Sequence, residues 1–123
     1  METYRFTLAE DDETELFLIY HTLSTAFSGS SISSFSNAED ALAHILETGT
    51  DILITDHGMG RMSGTQLITE LRRKGITIPI IMLSGNPDAQ EEARRAGATE
   101  FLHKSANRKQ IEDHVRNLLP CRN

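Results

Sequence analysis

The sequence holds a single cysteine, Cys121, among 123 residues. No internal disulfide is possible, and a chain so poor in thiols is expected in a reducing compartment, the cytoplasm. Basic residues are also scarce: twelve Lys and Arg face eighteen Asp and Glu, for a formal charge of −6. Nucleic acid and anionic membrane surfaces attract basic proteins, so neither is expected as a direct partner. No apolar run approaches the ~20 residues that cross a bilayer. The opening stretch METYRFTLAEDD turns acidic where a signal peptide would be apolar. There is no internal repeat, low-complexity tract or linker.

What remains is ordinary for a soluble domain, with 38% hydrophobic and 24% charged residues. A chain of this length buries roughly two-thirds of the surface its unfolded form exposes, enough for a core without staples. One domain over residues 1–123, with its core at about 4–119, is expected.

Strand-like and helix-like segments alternate throughout. Strands are expected at Tyr4–Ala9, Ser30–Phe35, Asp51–Thr55, Ile78–Leu83 and Thr99–Leu102. A helix over Glu13–Phe27 would place Leu16, Ile19, Tyr20, Leu23 and Phe27 on one face. Asn37 caps a second helix carrying Ala41, Leu42 and Ile45, closed by Gly49. Ser63 caps a third, through Lys74, that packs Leu67, Ile68 and Leu71. A short fourth spans Pro87–Ala96 with only Ala89, Ala93 and Ala96 as an apolar face. The last, Asn107–Leu119, turns Ile111, Val115 and Leu118 inward. Five β–α pairs imply an open α/β fold, a five-stranded parallel sheet with helices on both faces; the chain is too short for an eight-stranded barrel.

Ligand sites in such sheets lie outside the carboxyl ends of the strands. There the sequence places Glu10-Asp11-Asp12-Glu13 after the first strand, Asp56 after the third, Ser84-Gly85-Asn86 after the fourth and His103-Lys104 after the fifth. Clustered carboxylates repel, and a hard cation between them lowers that cost. Mg²⁺ suits one or two carboxylates with water and phosphate oxygens. A carboxylate on a neighbouring strand end can attack phosphorus, and a lysine and a hydroxyl can balance the remaining phosphoryl oxygens. Each piece has a plainer reading. Acids after a strand complement a helix dipole, a lone Asp is a loop residue, Ser before Gly is turn chemistry, and a lone Lys is a solvated charge. Their convergence on one rim favours phosphoryl transfer to Asp56.

At these residues the sequence resembles the receiver domain of two-component response regulators, the CheY-like family, from about Tyr4 to Leu119. The markers are the acidic run, Asp56-His-Gly-Met-Gly-Arg-Met-Ser-Gly64, Leu83-Ser84-Gly85 and Gly97-Ala-Thr-Glu-Phe-Leu-His-Lys104. The resemblance implies a flavodoxin-like fold with strand order 2-1-3-4-5. It implies Asp56 as phosphoacceptor, Lys104 as the lysine that balances the phosphoryl charge, and Ser84 as the hydroxyl that follows that group. Phe101 matches the switch aromatic, and the cofactor is Mg²⁺ or Mn²⁺. The acidic pair is Glu10 and Asp11 when counted from the strand end, or Asp11 and Asp12 when counted from the helix; the strand end is preferred, and Asp11 is common to both. Gly58 would lend its backbone carbonyl to the metal.

The implied activity is reception of a phosphoryl group from a histidine kinase or histidine phosphotransfer protein. Output would pass through the α4–β5–α5 face to a downstream protein, from a monomer or weak homodimer. On this reading the chain is not an enzyme beyond catalysing its own phosphorylation and dephosphorylation. Because little follows the last helix, it is expected to stand alone, without an effector domain. The alternative is a pseudo-receiver, a phosphorylation-independent interaction module. A hydrolase with an aspartate nucleophile usually carries a second Asp where Gly58 stands, and Glu10-Asp11-Asp12 would repel the phosphate of a flavin. Three departures from the family pattern stand out: Gly60 replaces a proline, Gly58 offers no side chain, and Lys104-Ser105 replaces Lys-Pro. His57 and His103 flank site residues, but strand alternation turns them away, and no histidine pair has metal-ligand spacing with a third ligand in view.

Overall fold

The two most apolar runs of the sequence become the two most buried strands. The computed structural model describes residues 3–120, so Cys121 lies outside the described residues. Ten elements alternate: β1 Arg5–Ala9, α1 Glu13–Ala26, β2 Ser31–Phe35, α2 Ala38–Thr48, β3 Ile52–Asp56, α3 Gly64–Arg73, β4 Ile80–Ser84, α4 Ala89–Ala96, β5 Glu100–His103 and α5 Arg108–Leu118. Every residue of β3 and β4 is buried, as expected of central parallel strands covered on both faces. The edge strands β2 and β5 are partly exposed.

The sheet order is β2-β1-β3-β4-β5, with every neighbouring pair parallel, so the expected α/β architecture and strand order are observed. Ala9, Leu53, Ile80 and Met82 face one layer, which α2, α3 and α4 close with Ala41, Ile45, Leu67, Ile68, Leu71, Ala89 and Ala93. Phe6, Leu8, Ile54 and Ile81 face the other, closed by Ile19 and Leu23 of α1 and Val115 of α5. Alternation along each strand feeds both layers.

Local signals set most boundaries. Asp12, Asn37, Ser63 and Asn107 each cap a helix with a side-chain oxygen, and Ser63 and Asn107 complete capping boxes with Gln66 and Gln110. Three expectations shift. Strand β4 starts at Ile80, because Pro79 has no N–H for the ladder; its carbonyl still accepts the Leu53 amide at 3.1 Å. Tyr20 stays exposed while Thr22 is buried. At about 100° per residue, Thr22 lies roughly 60° from Ile19 around α1 and Tyr20 roughly 100°. Phe27 falls just past α1 but is buried, edge-on to Tyr4 at 6.1 Å and under the Arg116 guanidinium.

Candidate functional site

Strand order reverses direction between β1 and β3, and at such a switch point the connections leave on opposite sides of the sheet and open a crevice at the carboxyl edge. Register places Ala9 beside Thr55, so Glu10 and Asp56 follow as neighbours at that crevice. Asp56 pairs with Leu83, and Ser84 with His103. The Lys104 amide then donates to the Ser84 carbonyl at 3.0 Å. Four strand ends therefore deliver the acids, Asp56, Ser84 and Lys104 to one rim.

The ammonium of Lys104 lies 3.2 Å from Glu10 Oε1 and 3.2 Å from Asp56 Oδ1. Glu10 is 2% exposed and Asp56 9%, so one cation faces two nearly buried carboxylates. Glu10 Oε1 makes no well-directed hydrogen bond; Lys104 meets it as a charge. Its other oxygen takes only a long contact, 3.4 Å, from the Asp12 amide. Burial first, and then the neighbouring Asp56 carboxylate, push the Glu10 carboxyl up to about 7 against the pull of Lys104. Burial draws the Lys104 ammonium down, but Glu10 and then Asp56 outweigh it and leave its pKa raised. Asp56 Oδ1 also accepts the His57 amide at 2.7 Å, which fixes the carboxylate at the strand end.

Glu10, Asp11 and Asp56 each present an oxygen to a common point, all within 4.8 Å of one another, the one such His/Cys/Asp/Glu group among the described residues. An all-oxygen set with a surplus of negative charge fits a hard divalent cation. Asp12, the other candidate of the acidic run, is engaged elsewhere: its Oδ1 accepts the Glu15 amide at 2.9 Å as the cap of α1. Ser84 is buried, its Oγ accepting the Asn86 amide at 3.1 Å. Phe101 is half-buried on β5. It packs against the α2–α3–α4 layer and lines a cavity of about 260 Å³ with Gln90, Arg94 and Thr99.

Gly58 lies two residues past Asp56 with open space where a side chain would stand. Gly60 adopts φ +62°, a conformation closed to the proline whose absence the sequence shows. Gly64 was missed as a positional requirement. A Cβ there would penetrate the Asp56 carbonyl oxygen, and would come within 3.0 Å of its carbon and 3.1 Å of Met82 Cε. Its amide donates to the His57 carbonyl at 2.7 Å. The one trace in the sequence is a glycine directly after the Ser63 cap. Both flanking histidines find partners: His57 Nε2 sits 3.1 Å from Glu92 Oε2 on α4, and His103, expected to turn away, has Nε2 3.1 Å from the Gly85 carbonyl beside Ser84.

The chain is similar in sequence and in fold to known proteins. The two-component response regulator PhoP of Pseudomonas aeruginosa is 33% identical over 106 residues, 83% of this chain and 47% of that protein. The transcriptional regulatory protein FixJ of Rhizobium meliloti is 30% identical over 106 residues, 85% of this chain and 51% of that protein. The chain thus spans about half the length of these curated relatives. A solved putative response regulator from Chloroflexus aurantiacus superposes with a TM-score of 0.88 at 26% identity, over 95% of this chain and 98% of its own. The chemotaxis response regulator CheY4 of Vibrio cholerae shares the fold, with a TM-score of 0.86 at 24% identity over 96% and 100% of the two chains. The model of the response regulator receiver domain matches residues 6–116. With β1 through most of α5 inside that match, this chain belongs to the response regulator receiver domain family of two-component signalling.

Proposed function

We propose that Asp56 accepts a phosphoryl group in a reaction that needs Mg²⁺ or Mn²⁺. The supporting observation is the meeting of Glu10, Asp11 and Asp56 within 4.8 Å, with Lys104 3.2 Å from two of those carboxylates. Asp11, Asp56 and Glu10, with the Gly58 carbonyl, are the residues that would hold the cation, which when bound supplies charge neutralisation for the phosphoryl oxygens. An Asp56 carboxylate oxygen forms the new O–P bond. The P–N bond of a phosphohistidine, or the P–O bond of an acyl phosphate, breaks, and its electron pair leaves with the imidazole or the carboxylate.

Lys104 exchanges its pairing with Asp56 for the new phosphoryl oxygens, and Ser84 donates its hydroxyl to another. The aspartyl-phosphate adds about −1.5 to −2 charges by analogy with phosphoserine. Movement of Ser84 frees space for Phe101 to turn inward, which reshapes the α4–β5–α5 face for a downstream protein. The phosphodonor is a histidine kinase or histidine phosphotransfer protein, and the working form a cytoplasmic monomer or weak homodimer. Among the described residues no helix is long and apolar enough to cross a membrane. A lysine 3.2 Å from two nearly buried carboxylates favours this reading over a phosphorylation-independent module.

The test is intact mass after incubation with acetyl phosphate, with and without Mg²⁺, beside Asp56→Asn. One phosphate gained only with Mg²⁺ and only with Asp56 is expected. Equal gain by Asp56→Asn, or no gain by the wild-type chain, refutes the proposal.

A further inference from the structure

The loop between β4 and α4 is held in place from two directions. From within, Ser84 Oγ accepts the Asn86 amide at 3.1 Å and Asn86 Oδ1 accepts the Asp88 amide at 2.9 Å. From across the sheet edge comes His103, whose Nε2 lies 3.1 Å from the Gly85 carbonyl. The Ser105 amide donates to His103 Nδ1 at 3.1 Å. Nδ1 therefore carries no proton in this arrangement, and Nε2 is the nitrogen that donates to Gly85. The Ser105 hydroxyl lies 2.9 Å from the same Nδ1. Ser105 thus fixes the ring that holds the loop.

The held segment has little else to hold it. α4 has eight residues, buries only Ala89 and Ala93, and its N-cap Asp88 makes no side-chain cap bond. Its other polar ties are Glu92 Oε2 to His57 Nε2 at 3.1 Å and, at its carboxyl end, Arg72 Nε donating to the Gly97 carbonyl at 2.9 Å. A short, polar, thinly packed helix moves at small cost, so individual hydrogen bonds weigh in its position.

We propose that His103 is a latch on the β4–α4 loop: a positioning residue that keeps Ser84 in its unphosphorylated place and sets how readily the loop closes on Asp56. The inference rests on the phosphoryl-accepting reading above. Ser84 Oγ accepts the Asn86 amide and keeps its own proton to donate; on the reading above, Ser84 shifts toward Asp56 to give that proton to a phosphoryl oxygen. Gly85 is the next residue in the chain, so a shift of the loop backbone that carries Ser84 toward Asp56 draws the Gly85 carbonyl away from His103. The His103 bond therefore stabilises only the starting arrangement. Removing it should favour closure by about two- to fivefold, the weight of one exposed hydrogen bond.

Two variants separate the latch from mere surface packing. His103→Leu removes the donor, and His103→Gln keeps an amide N–H near the position of Nε2. In the unphosphorylated protein, backbone amide hydrogen exchange across residues 85–96 should quicken about two- to fivefold in His103→Leu and stay near wild type in His103→Gln. Phosphate gain from acetyl phosphate with Mg²⁺ should quicken similarly in His103→Leu alone. Unchanged exchange in His103→Leu, equal acceleration in His103→Gln, or quicker exchange without quicker phosphate gain each overturns the latch. Failure of the underlying reading looks different. No protein, the wild type included, would then gain phosphate, or Asp56→Asn would gain it too, and the latch falls with that reading.

Discussion

Replacing Glu10 with Gln should stabilise the metal-free protein at neutral and alkaline pH, and leave it almost unchanged in acid. Glu10 is 2% exposed, and it shares one ammonium with Asp56. Its carboxyl titrates at about 7 instead of its ordinary 4.5, with desolvation the first cause. A carboxyl whose pKa is raised on folding binds its proton more tightly in the native state. Its favourable contribution is complete below about 4.5 and is lost as pH rises toward 7, because the unfolded chain ionises first. At about 1.4 kcal/mol per pH decade, the loss has a ceiling of about 3 kcal/mol, the pull of Lys104 being already contained in the raised value. A glutamine has no proton to lose, and it occupies nearly the volume of the protonated acid. Urea unfolding of both proteins in chelator, from pH 4.5 to 8, should show the wild type losing about 1–3 kcal/mol relative to Glu10→Gln across that interval. Stability curves that run parallel over the whole range would refute the reasoning. Added Mg²⁺ should reverse the order at pH 8, since a bound cation stabilises only the form that binds it.

Gly64→Ala should destabilise by about 3 kcal/mol or more in urea unfolding, because its methyl group would penetrate the Asp56 carbonyl and the backbone must yield. Gly58→Ala, with open space at that position, should stay within about 1 kcal/mol of wild type; equal costs would contradict the packing. Asp12→Ala should lose about 1 kcal/mol by removing the α1 cap yet keep Mg²⁺ binding, as read by the thermal shift on adding the ion. Asp11→Ala should lose that shift with its stability nearly intact, since its side chain is exposed. Loss of the shift in Asp12→Ala as well as in Asp11→Ala would return the metal to the Asp11–Asp12 pair.

The ten elements were legible because their causes are local. Period-two and period-3.6 spacing of apolar residues, four side-chain caps and glycines at helix ends act within a few residues of themselves. Strand ends are legible for the same reason, so the sequence by itself places Asp56, Ser84 and Lys104 on one rim. Tyr20 shows the limit: it belongs to the apolar set by type, but which edge of α1 meets the sheet is decided by packing.

The tertiary structure alone decided matters that depend on distance along the chain. Register between β1 and β3 puts Glu10 beside Asp56, while Asp12 turns to cap α1. Three consecutive acids cannot declare that division by spacing. Lys104 reaches two carboxylates that lie far from it in sequence, and burial together with the nearby Asp56 carboxylate raises the Glu10 carboxyl toward neutrality. The closeness of Gly64 to the Asp56 carbonyl, and the reach of His103 to Gly85, arise between segments brought together by strand pairing. Sequence carries what neighbours along the chain do to one another. Desolvation, register and steric closeness belong to neighbours in space, and these set the charge state and the freedom of the site.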